Sequence, residues 1–141
     1  MGNLRNCFPP ATGLASPRGH YSHVAQDGGW VFVSGQLPLD ESGSPQVTGA
    51  LEVQAELALS NVATALAAAG CSWEHVLKTT VYLAGVEYWP AFDAVYRQFL
   101  GAARPARAVV PVPALHHGAL VEIEAIAFVG DRANACSLVG T

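Results

Sequence analysis

The chain has 141 residues, the usual length of one domain, and is long enough to bury roughly two thirds of the surface its unfolded form exposes. Seven Lys and Arg stand against 11 Asp and Glu, a formal net charge of −4, and no basic cluster offers a phosphate-binding footprint, so a nucleic-acid partner is not expected. Hydrophobic residues make up 51% and charged residues only 13%, a small polar allowance for a monomer covering its own surface, so a homo-oligomer is expected.

No apolar run reaches the ~18 to 20 residues a bilayer helix needs, and the start "MGNLRNCFPPATG" lacks the apolar core of a secretory signal. A cytoplasmic protein without a membrane partner is the expectation. Asn6 stands where a myristoylation signal carries Ser or Thr. Cys7, Cys71 and Cys136 are odd in number and free of any CxxC spacing, which fits reduced thiols better than zinc ligands or disulfides.

Residues 1–18 carry Pro, Gly, Ser and Asn without periodicity and read as an extended lead-in to one domain spanning 1–141. "YSHVAQDGGWVFVSGQL" predicts a hairpin turning at "QDGG", with Trp30–Ser34 as its second strand. Gly35 at once after that strand means that another group approaches the backbone or that the strand bends. From Thr48 to Ala69, Leu51, Ala55, Ala58, Leu59, Val62, Ala65 and Leu66 recur at helical spacing, with Thr48 as the expected cap and Gly70 as the stop. "HVLKTTVYLAG" reads as a strand. "WPAFDAVYRQFLG" reads as a shorter helix, with Pro90 in its first turn and Gly101 past its end.

The stretch "RPARAVVPVPALHHGALVEIEAIA" reads as two more strands joined at "PALHHGA", and residues 130–141 as a loose tail. The expected order is β-β-α-β-α-β-β, an α+β domain whose two helices cover one face of a mixed sheet. Alternation puts Val121, Ile123, Ala125 and Ala127 under the helices, and Glu122, Glu124, Ile126 and Phe128 on the uncovered face. If these last strands fold on each other about Ala114 and Leu115, Arg107 lies directly across from Glu122, as a structural ion pair or a ligand site. Pro111 and Pro113 both lack an N–H on one side, so this strand is expected at a sheet edge, closed over by neighbouring subunits. His116 and His117 beside Gly118 fit an exposed turn better than a metal site. Glu122 and Glu124 share one strand face and do not oppose each other across a cleft, unlike a glycosidase acid pair.

Across residues 17–129 the blocks "YSHV", "FVSGQLP", "AAAGCSWEHVLKTTVYL", "FDAVYRQFL", "RPARAVV" and "VEIEAIA" follow one another as in the RidA (YjgF) family of imine and enamine deaminases, which the chain resembles. The resemblance implies a chorismate-mutase-like α+β subunit, a homotrimer with clefts between subunits, and no cofactor or metal. It implies that Arg107 grips a substrate carboxylate and that Glu122 directs the attacking water. It also implies that Tyr21 orients substrate and that Ser34, Gly35 and the backbone of Val109 line the pocket. Three positions depart from the family pattern: Val109 replaces a frequent Cys, His20 replaces a frequent Pro, and "LHHG" replaces a lysine-bearing turn. They surround the expected cleft and bear on substrate choice. The expected reaction is hydrolysis of a small 2-imino acid or its enamine to a 2-oxo acid and ammonia. The rivals are a pathway-specific member acting on an aminomuconate-type or biosynthetic enamine, and a non-enzymatic trimer that binds carboxylate metabolites.

Overall fold

In the computed structural model, which describes residues 7–130, strand β1 (Val24–Asp27) turns through Gly28 and Gly29 into β2 (Trp30–Gln36). Both glycines have positive φ, 56° and 88°, the conformation that lets a two-residue turn follow the twist of its strands. Cys7 adds a single bridge to Gln26, so the lead-in is tied to the sheet from there; residues 1–6 and the tail from 131, with Cys136, lie outside the described residues.

Helix α1 (Leu51–Ala68) buries the predicted stripe from Leu51 to Leu66. Its alanines carry little bulk, which lets the helix lie close against the sheet. The cap position is Ala50, two residues later than Thr48, and it offers no side-chain cap to the helix that starts at Leu51. Gln54 secures the helix entry in its place. Its buried amide donates to the carbonyls of Val47 and Gly49 and accepts from the N–H of Leu120, so the start of α1 is tied to the segment leading into β5. At the other end Gly70 has φ 71°, Gly70 N–H meets Ala67 O and Cys71 N–H meets Leu66 O, closing the helix by the paired bonds that glycine permits.

Strand β3 (Val76–Leu83), helix α2 (Trp89–Leu100, with Pro90 in its first turn and Gly101 after it), β4 (Ala106–Pro111) and β5 (Val121–Phe128) complete the predicted order. The sheet order is β1-β2-β5-β3-β4. Every pair is antiparallel except β3 and β4, which are parallel because α2 carries the chain back to the same end. Both helices lie on one face, as expected, over a core containing Leu59, Leu66, Val81, Phe92, Val121 and Ile123.

One expectation fails. β4 and β5 do not form a hairpin, since β5 is inserted between β2 and β3, and the chain after β4 crosses the end of β3 through a helical turn, His116–Gly118, to reach it. Arg107 therefore pairs with Thr79, and Glu122 with Tyr82 and not with Arg107. Paired residues share a face, and Thr79 is buried against α2, so Arg107 and Val109 lie on the helix side and Glu122 on the other. β4 is nonetheless an edge strand, as expected, with Pro111 at its end and Pro113 beyond it.

Candidate active site

β5 alternates as read from the sequence. Val121, Ile123, Ala125 and Ala127 are buried, while Glu122, Glu124, Ile126 and Phe128 are half-buried on the uncovered face. Exposed Trp30 and Phe32 of β2 extend the apolar part of that face, with Trp30 edge-on to Phe128 at 5.2 Å between ring centres. At the end carrying the carboxylates, a cleft of about 670 Å³ opens between the sheet, residues 14–23 of the lead-in, the loop after β2 and the His116–His117 turn.

The register of β2 against β5 slips between Val33 and Gln36. Gly35 sits at that bulge, and a Cβ there would run into the Glu122 carboxylate. Glycine is needed at the strand end because Glu122 lies directly over its backbone. Ser34 Oγ donates to Ser22 O at 2.6 Å. The ring of His23 is pinned between Ala15 O, at 2.7 Å from Nε2, and the amide of Gln36, at 3.2 Å from Nδ1. Asn61 of α1 donates to the carbonyls of Leu37 and Leu39. Together these bonds fix the lead-in and the loop after β2 as walls of the cleft.

The two carboxylates have different environments. Glu124 accepts from the Tyr82 hydroxyl at 2.8 Å, and that bond holds the Tyr82 proton more tightly than usual. Glu122 accepts no hydrogen bond from the described residues. Burial pushes its carboxyl above the ordinary carboxylate range; His116 acts against this and the charge of Glu124 adds to it. Glu122 thus holds a proton more readily than an ordinary carboxylate does and has lone pairs free for water.

Of the residues expected at the site, the structure brings together Tyr21, Ser34, Gly35 and Glu122, all lining the cleft. Tyr21 is half exposed at the rim, with His23 edge-on to it. Arg107 and Val109 do not line it. Arg107 Nη1 donates to Asp93 Oδ1 at 2.8 Å, and its guanidinium lies 4.8 Å from the Tyr96 ring centre. The ion pair expected with Glu122 exists with Asp93, because the strands are ordered differently from a hairpin.

His116 and His117 are in an exposed turn, as expected, yet they line the cleft, with His117 at a positive φ of 62°. Among the described residues no group of three or more His, Cys, Asp or Glu side chains is placed to hold a metal ion. Sequence reasoning missed Arg18, which lines the cleft and donates to Gly43 O, and the pins His23–Gln36 and Asn61. For α1 a signal existed: Gln54 and Asn61 are seven residues apart on an otherwise apolar stripe, where a polar side chain must find buried partners.

A mixed five-stranded sheet with both helices on one face and a carboxylate-bearing cleft on the other defines a chorismate-mutase-like α+β protein. The family model described as Endoribonuclease L-PSP matches residues 13–129. The 2-iminobutanoate/2-iminopropanoate deaminase of mouse is 40% identical over 112 residues, covering 79% of this chain and 83% of that one. Among solved structures, RidA from an Antarctic Psychrobacter is 33% identical with a TM-score of 0.78, covering 83% of this chain and 94% of that one. TdcF of E. coli with bound serine is 31% identical, also with a TM-score of 0.78, covering 84% and 94%. The chain belongs to the RidA (YjgF) family.

Proposed function

We propose that the protein hydrolyses small 2-imino acids, of the 2-iminopropanoate or 2-iminobutanoate type, or their enamine tautomers, to 2-oxo acids and ammonia. The observation that carries this reading is the Glu122 carboxylate, desolvated, free of hydrogen-bond donors among the described residues and held over the Gly35 backbone in an open cleft. Relatives named for imine deamination, at 37–40% identity, support it. Glu122 takes a proton from water as the water oxygen bonds to the imine carbon. Glu122 returns that proton to nitrogen, which has taken up the C=N π pair, and then relays the remaining O–H proton to the same nitrogen as the carbonyl forms and the C–N bond breaks with its electron pair leaving on ammonia. Tyr21 at the rim orients the substrate, and Ser34 and Gly35 present backbone to it.

The carboxylate clamp is Arg107, contributed by a neighbouring subunit. Within one subunit it lies on the opposite face from Glu122 but on an edge strand, where a neighbour's cleft can reach it. The uncovered apolar face of Trp30, Phe32 and Ile126 supports association. A homotrimer is the proposed state, and the cytoplasm the proposed compartment; no helix among the described residues is long and apolar enough to cross a membrane. Light scattering is expected to return three times the subunit mass at micromolar concentration, and a monomer mass would remove the shared site. Ribonuclease activity, which the description of the family model suggests, is disfavoured because the chain, with seven Lys and Arg against 11 Asp and Glu, offers no basic cluster to track a phosphate backbone.

The direct test is ammonia release from imines generated in situ by an amino acid oxidase, across several side chains, beyond the rate in water alone. Turnover only of an aminomuconate-type or other biosynthetic enamine would place the protein in a single pathway. Binding of 2-oxo acids without turnover of any imine would make it a carboxylate-binding trimer.

A further inference from the structure

Arg107 is held on three sides by groups from α2. Asp93 Oδ1 accepts from Nη1 at 2.8 Å, the Tyr96 ring lies 4.8 Å beneath the guanidinium and the Trp89 ring 5.8 Å away. The Tyr96 ring is itself fixed, because its hydroxyl bonds Thr79 Oγ1 at 2.8 Å in the core between α2 and β3. A long cationic side chain on an edge strand would otherwise sample many rotamers. Here the ring under its face and the carboxylate at one nitrogen restrict it to one.

The choice of nitrogen matters. A guanidinium meets a carboxylate with two parallel N–H bonds along one of its edges. Asp93 occupies Nη1, and no other acceptor among the described residues bonds Arg107, so the Nε–Nη2 edge is left for an external carboxylate. Asp93 also meets Arg97 at 3.4 Å, but Arg97 is exposed and that contact is weak.

We propose that Asp93 is a positioning residue for substrate binding: it orients Arg107, seated on Tyr96, so that its Nε–Nη2 edge meets the substrate carboxylate. This rests on Arg107 being the clamp. It assigns to α2, which contributes no residue to the cleft described above, a role in substrate affinity.

The test reads Asp93→Ala, Asp93→Asn, Arg97→Ala and Arg107→Ala side by side for subunit assembly, imine turnover and 2-oxobutanoate binding. Asp93→Ala is expected to assemble as wild type does and to lose about 10- to 100-fold in kcat/KM, mostly through KM, with weaker 2-oxobutanoate binding. Asp93→Asn retains an oxygen at the same place and is expected within about threefold of wild type, a rescue that a general loss of packing would not show. Arg97→Ala is expected to match wild type. In the Arg107→Ala background, adding Asp93→Ala is expected to cost nothing further, because Asp93 acts through Arg107. Should Asp93→Ala fail to assemble, Asp93→Ser, which keeps a polar atom at the helix surface but stops short of Arg107, is read in its place. Wild-type KM and binding in the assembled Asp93 variant, beside loss of both in Arg107→Ala, would overturn the positioning role and leave the clamp standing. Wild-type behaviour of Arg107→Ala would remove the clamp and this inference together.

Discussion

Glu122→Gln lowers kcat by roughly 10² to 10⁴ while a 2-oxo acid still binds. Glutamine keeps the shape of the side chain and can hydrogen-bond water but cannot take its proton, so what is lost belongs to the chemical step. The acid limb of the pH profile comes from the same group. Its carboxyl is raised above the ordinary 4.5, chiefly by burial, so activity falls as pH drops through that raised value, and the limb disappears in the glutamine variant. Stability moves the other way. The folded protein binds this proton more tightly than the unfolded chain does, so ionised Glu122 destabilises the fold fully above its raised value and not at all well below 4.5. Glu122→Gln is therefore expected to melt above wild type at neutral pH, with the gap closing as pH falls toward about 4. A variant with full activity, or one melting lower at neutral pH, would show that Glu122 is not a desolvated catalytic base.

Arg107→Lys is expected to lose about 2 to 4 kcal/mol in kcat/KM, roughly 30- to 1,000-fold, without dissociating the assembly. Lysine keeps the charge and can still pair with Asp93, but it cannot give two parallel bonds to a carboxylate, and an ammonium satisfied by Asp93 has little left to offer a substrate. Binding and transition-state positioning should suffer together, in contrast to the purely chemical loss in Glu122→Gln. Arg18 provides the control that decides the outcome, because it is the arginine that lines the cleft of its own subunit. If Arg107→Lys were indistinguishable from wild type while Arg18→Ala lost substrate binding, the clamp would be Arg18 and the site would need no neighbour. If both Arg107→Lys and Glu122→Gln lost assembly but kept activity in whatever assembled, the two residues would serve the fold alone.

Local physics decided much of this protein. The period of 3.6 from Leu51 to Leu66, the Gly28–Gly29 turn, Pro90 and Gly101 around α2 and the alternation of β5 follow from neighbours in sequence, so the elements, and the face bearing Glu122 and Glu124, could be read directly. The family blocks carried the architecture with them. Gly35 announced a close approach, though not that Glu122 makes it, since that contact joins residues 87 positions apart through a bulge. Strand order was beyond the sequence. Two strands joined by a short link look like a hairpin, but the antiparallel ladders that β5 forms with both β2 and β3 place it inside the sheet and push β4 to the edge. That choice is made by nonlocal pairing and by the crossover through α2, neither of which leaves a periodic mark. It separated Arg107 from Glu122, gave Arg107 to Asp93 and Tyr96, and so set the two residues of an expected cross-strand pair on opposite faces of the subunit.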